Sequence, residues 1–176
     1  MKKHFAVFLG VCASSLLNGC GGSSPRPPHE STWTWVSGTK VPDQAGVYGT
    51  QGTTSPSNVP GSRQFAVSWR DSNGQFWLFG GSGIDSTGTQ GALNDLWKFD
   101  GTNWTWVSGS NVVSQLGLYG TKGTSSPSNV PGARFGAVSS IDKSNSLWLF
   151  GGMGTDSTGA QGEFNDLWKF DGTNWT

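Results

Sequence analysis

Disulfide bonding has little to work with in this 176-residue chain, whose only cysteines are Cys12 and Cys20. Neither lies beyond residue 31, so whatever folds there is held by packing rather than by cross-links. Histidine is as scarce. His4 and His29 both precede residue 32, which excludes a zinc or copper centre of the usual histidine-built kind from the remainder, and no cofactor is implied. Eleven Lys and Arg balance eleven Asp and Glu, and nothing basic clusters. A nucleic-acid partner, which needs a concentrated Lys/Arg face, is therefore excluded. No helical period is legible after the first twenty residues, and the one apolar run, Phe5 to Leu17, is too short to span a bilayer comfortably.

That apolar run follows Lys2 and Lys3, the order of an export signal. It leads into Leu17-Asn18-Gly19-Cys20, which resembles the lipobox of bacterial lipoproteins. The resemblance implies a signal peptide over 1–19, removal of Cys12 with it, and a lipidated Cys20 as the mature first residue and membrane anchor. An ordinary secretory signal with a chance cysteine is the alternative. Gly21 after the cysteine, rather than Asp, favours the outer membrane by resemblance to Gram-negative sorting rules. Residues 20–31 then form a Gly/Ser/Pro-rich tether that holds the folded part off the bilayer.

What the chain does have is glycine and aromatics: 28 Gly, 10 Trp and 10 Phe, with 2 Met. That mixture describes short aromatic strands joined by tight turns. It is also written twice. Trp77, Gly80, Trp97 and Trp104 return as Trp148, Gly151, Trp168 and Trp175, each 71 positions later (148 − 77 = 71; 175 − 104 = 71). A long fixed period means that one supersecondary unit is copied, and such a unit rarely buries its apolar face alone. The expected repeat region is 32–176, with units at about 33–103 and 104–176.

Within one unit, Arg63 to Asp71 and Gln75 to Gly81 flank Asn73-Gly74, whose positive φ angles suit a tight antiparallel hairpin. The second unit has Lys143-Ser144-Asn145 there, which predicts a different or longer loop. A polar connection over Ser82–Leu93 is expected next. Alternation in Asn94–Asp100 then places Asp95, Trp97 and Phe99 on one face and Leu96, Lys98 and Asp100 on the other. Asp100-Gly101-Thr102-Asn103 is a turn, and Trp104 and Trp106 share a face of the following strand. Each unit is thus a four-stranded meander.

The pattern resembles the kelch repeat of β-propellers, including those related to the galactose oxidase central domain. The resemblance rests on Gly80-Gly81 and Gly151-Gly152 after an aromatic-aliphatic strand, on the strands carrying Trp97, Trp104, Trp168 and Trp175, and on the Pro-Gly-x-Arg entries ending at Arg63 and Arg134. It implies an all-β partial propeller of about two four-stranded antiparallel blades, incomplete at the C-terminus. The period departs from it, since kelch units run to about fifty residues. The excess lies in two near-identical loops, 37–61 and 108–132, whose Val47/Leu118 and Tyr48/Tyr119 predict folding back onto the rim.

Two blades do not close a ring that takes typically four to eight. Either further units follow Thr176, or chains complete one another. The Thr32–Ser37 segment (TWTWVS) repeats the Asn103–Ser108 strand, so it is expected to stand as a lone strand able to finish a neighbouring chain's blade, giving a homo-oligomer by strand exchange.

Candidate sites are few. Arg63 and Arg134 open the first strand of each blade and either line the channel or pair with Asp95 and Asp166. Asp85 and Asp156, each heading an Asp-Ser-Thr-Gly run, are the only calcium candidates, and one carboxylate per loop suits a turn better than a tight site. No catalytic residues are expected. The resemblance implies a lipid-anchored module of the cell envelope that binds protein or glycan without catalysis. The alternative is the N-terminal part of a longer propeller hydrolase, oxidase or sugar epimerase with catalytic residues beyond Thr176.

Overall fold

The computed structural model describes Thr32–Thr176. The export signal, Cys20 and the tether lie outside the described residues. All regular structure among the described residues is strand, with no helix. In chain order the strands are β1 (Thr54–Ser55), β2 (Arg63–Gln64), β3 (Val67–Arg70), β4 (Phe76–Ile84), β5 (Gln90–Phe99) and β6 (Trp104–Ser108). The second copy supplies β7 (Arg134–Phe135), β8 (Val138–Ile141), β9 (Leu147–Phe150), β10 (Met153–Thr155), β11 (Gln161–Glu163) and β12 (Leu167–Phe170).

They form three antiparallel sheets, none closed: one of six strands in the order β1-β6-β5-β4-β2 with β3 also on β4, and two of three strands, β11-β10-β7 and β12-β9-β8. The expected lone strand at Thr32–Ser37 is not formed. The chain divides after Val36; the described part of the first unit, Thr32–Val36, makes no strand and leaves Trp33 fully exposed. Aromatic alternation is a propensity and does not by itself make a strand, whereas the same sequence at Trp104–Ser108 pairs with β5.

The β3–β4 hairpin forms with Gly74 at φ +80°. Its second-copy counterpart is no longer and no different: Asn145 takes φ +62°, and Asp142 N bonds Ser146 O as Asp71 N bonds Gln75 O, both at 3.1 Å. Asparagine tolerates the left-handed region well enough to stand in for glycine. A second correction concerns the glycine pair. β4 does not stop there; it runs on to Ile84 through a bulge between Phe79 and Gly81. The expected polar connection shrinks to a turn over Asp85–Thr89. Gly80 in the bulge has φ +61°, and a Cβ there would meet Arg134 O at 2.7 Å, so glycine lets the second copy approach the backbone of the first.

The core lies between the copies. Register places Val67, Trp69, Trp77, Phe79 and Leu96 on one face of the first copy's sheet, and Leu147, Leu149, Trp168 and Phe170 on one face of the second's. These residues and Trp175 form one buried cluster, with Trp77 against Phe170 at 5.9 Å and Phe79 against Trp175 at 5.5 Å between centroids. Trp69 Nε1 donates to Trp148 O at 3.2 Å across the same junction.

Candidate functional site

Each copy builds the same polar knot. Arg63 donates through both terminal nitrogens to the two oxygens of Asp95, each at 2.7 Å, and through Nε to Gly61 O at 3.1 Å and Nη1 to Gly80 O at 3.0 Å. Asp95 Oδ2 also accepts from Tyr48 Oη at 2.6 Å and Trp97 Nε1 at 2.7 Å. Asp95 is wholly buried, and a bidentate guanidinium with two further donors is what a buried carboxylate needs. In the second copy Arg134, Asp166, Tyr119 and Trp168 repeat the geometry at 2.6–2.9 Å. There Phe164 lies over the guanidinium at 4.0 Å, and Arg134 is 1% exposed.

The electrostatics follow. Burial and the adjacent carboxylate both push the Tyr48 hydroxyl's pKa well up, and burial with the Asp166 hydrogen bond pushes Tyr119 up to about 12. Burial alone would raise Asp166, but the Arg134, Tyr119 and Trp168 donors outweigh it and hold the carboxyl below its usual range. Burial likewise opposes the charge on Arg63, and Asp95 overcomes it. Both arginines have therefore spent their forks on aspartate. A groove of about 300 Å³ beside Arg63 would offer an anion a guanidinium already paired.

The two aspartates read as calcium candidates hold turns. Asp85 is buried, with Oδ1 accepting from Thr87 N, Thr87 Oγ1 and Thr89 N at 2.7–2.9 Å, and Oδ2 accepting from Val113 N at 3.1 Å. Asp156 repeats the Oδ1 set. Those bonds lower both carboxyls, for Asp85 against the burial that would raise it. No cluster of three metal-ligating side chains occurs among the described residues. The repeat tryptophans divide: Trp97, Trp168 and Trp175 are buried, and Trp104 is half-buried.

What sequence reading missed is how the long loops are fastened. The tyrosine of each loop reaches the Arg–Asp knot, while Val47 and Leu118 point outward, 50% and 58% exposed. Asn58 Nδ2 bonds Thr53 O and Trp104 O, and Asn129 Nδ2 bonds Thr124 O and Trp175 O, at 2.9–3.1 Å. The two copies of the Ser-Pro-Ser-Asn run were the available signal. Between these loops lies a groove of about 520 Å³ lined by Gln51, Asn94, Gln115, Leu116, Leu118 and Asn174 among others, with no charged residue in its wall. Comparison with protein-family models and with curated proteins returned no match.

Proposed function

We propose that this chain is a non-enzymatic binding module of kelch-type propeller architecture, held at the cell envelope by a lipidated Cys20, that takes a neutral segment of a protein or a glycan in the groove between its rim loops. The groove carries the reading. Its wall combines amides and hydroxyls with exposed Leu116 and Leu118, and both bordering loops are pinned by a tyrosine to an Arg–Asp pair, buried in the first copy and partly exposed in the second, which lowers the ordering cost of binding. The aspartates support the same view, because Asp71, Asp85 and Asp100 and their copies Asp142, Asp156 and Asp171 accept from backbone N–H groups of turns.

Arrays of neutral glycans and of extended uncharged peptides, probed with the purified chain, test the reading. A bound ligand should be lost in Leu118→Asp and in Gln115→Ala, and should hold equally well in low and high salt, since no charge lines the groove. Binding that survives both substitutions, or no binding on either array by the folded chain, sinks it. Labelling with a palmitate analogue, lost in Cys20→Ala, tests the anchor separately.

A further inference from the structure

The two copies pack by unlike faces. In the first copy the buried face carries Val67, Trp69, Trp77, Phe79 and Leu96; in the second it carries Leu147, Leu149, Trp168, Phe170 and Trp175. Subtracting 71 from the second set gives Phe76, Leu78, Trp97, Phe99 and Trp104, which lie on the opposite face of the first copy's sheet. Adding 71 to the first set gives Val138, Ser140, Trp148, Phe150 and Leu167, the opposite face of the second. The junction within the chain is therefore head-to-tail, and each of its two halves recurs elsewhere on the molecule, partly open: Trp97 of the first-copy set is already buried against Tyr48 at 4.8 Å between centroids, while Phe76 and the second copy's Val138, Phe150 and Leu167 are exposed.

The open second-copy face exposes Val138 at 63%, Leu167 at 59% and Phe150 at 45%. The open first-copy face exposes Phe76 at 39%, with Phe99 and Trp104 half-buried beside it and packed on each other at 5.0 Å. Contiguous apolar surface of this kind marks an interaction site. Two substitutions shift bulk between the faces: Ser140 stands where the inner junction has Trp69, and Phe76 where it has Leu147.

We infer that the occupant of each open face is a second copy of this chain: the Phe76–Phe99–Trp104 face of one molecule seats on the Val138–Phe150–Leu167 face of the next, repeating the contact already made inside each molecule. The observation behind this choice is the inner junction itself, which shows these two kinds of face packing on each other. The contact is face to face and needs no exchanged strand. Being heterologous, it propagates around a ring or along an open array.

Sedimentation velocity over a concentration series, on the chain carrying Cys20→Ala so that no lipid confounds association, reads the outcome. The chain should grow beyond a monomer as concentration rises. Leu167→Lys blocks one face and Phe76→Glu the other, both at exposed positions, and Val138→Lys serves as a second lesion should Leu167→Lys fail to fold; each variant by itself should stay monomeric, since every contact needs one intact face of each kind. The decisive arm is the mixture: equal amounts of the face-blocked and counter-face-blocked variants retain one intact pair of faces and should give a two-chain species and nothing larger. A monomer at every concentration, association untouched by either lesion, or a mixture that grows like the parent overturns the inference.

Discussion

Phe79 and Phe150 hold the same position in the two copies, 71 residues apart (150 − 79 = 71), yet Phe79 is 1% exposed and Phe150 45%. Phe79 meets Trp175 of the other copy at 5.5 Å, whereas the same face of the second copy is open. Burial here belongs to the neighbour, not to the residue.

A matched pair of truncations should show the difference. Phe79→Ala leaves a cavity in the shared core and is expected to cost about 3–5 kcal/mol. Phe150→Ala should cost about 1 kcal/mol or less at concentrations where the chain is monomeric. Denaturant midpoints at constant slope are the measurement.

Asp95 is the keystone of the first polar knot, since removing it strands a buried Arg63 and the Tyr48 and Trp97 donors together. Asp95→Ala is expected to destabilise the chain by about 3–5 kcal/mol. Asp166→Ala should cost less, because the Asp166 side chain is 17% exposed against 0% for Asp95 and water can reach what it leaves. Tyr48→Phe, which removes one hydrogen bond to a charged group, should cost about 1.5–3 kcal/mol.

Asn145 does two things at once. It adopts φ +62° in its turn and bridges to the first copy, accepting from Ser72 N at 2.9 Å and donating to Ser72 Oγ at 2.8 Å. Asn145→Gly relieves the first strain and loses the second benefit, for a net change expected within about 1 kcal/mol. Asn145→Ala loses the bridge and keeps the strain, so it should be the worse variant in thermal melts by about 1 kcal/mol or more.

Alkaline pH should weaken the fold through the tyrosines. The unfolded chain ionises Tyr119 near its ordinary value of 10, while in the folded chain burial and Asp166 hold the neutral form to about 12. Its contribution is complete below pH 10 and is lost as pH climbs from about 10 to about 12. Tyr48 acts in the same direction. In Tyr48→Phe/Tyr119→Phe the slope of stability against pH in that window should flatten. At the acid end the sign reverses: Asp166 and Asp171 sit below their ordinary value of 3.8, so their contribution is present above it and is lost as pH falls through their lowered folded values.

Much of the local architecture was readable from residue order alone. Gly74 foretold the β3–β4 turn, because its left-handed φ of +80° is an angle glycine adopts readily; Asn73 takes no positive φ, and the turn closes more widely, with Asp71 N bonding Gln75 O. The alternation of Asp95, Trp97 and Phe99 against Leu96 and Lys98 foretold which residues share a face, because period two is intrinsic to a strand. The Arg63–Asp95 pairing was one of two readings, favoured because a buried guanidinium needs a carboxylate. The Tyr48 bond to Asp95 spans 47 residues and had no local sign. The run of β4 beyond Gly80 was hidden as well: the second pair, Gly151-Gly152, does follow the end of β9 at Phe150 as expected, whereas Gly80 sits in a bulge against Arg134 that no local signal announces.

The sequence by itself therefore determined the copied unit, its turns and the two faces of each sheet, all of which depend on backbone preference and short-range periodicity. Tertiary structure alone decided that the first copy buries one face and the second copy the other. Two nearly identical sequences have identical local preferences, and only the head-to-tail packing of one on the other makes their counterparts unequal.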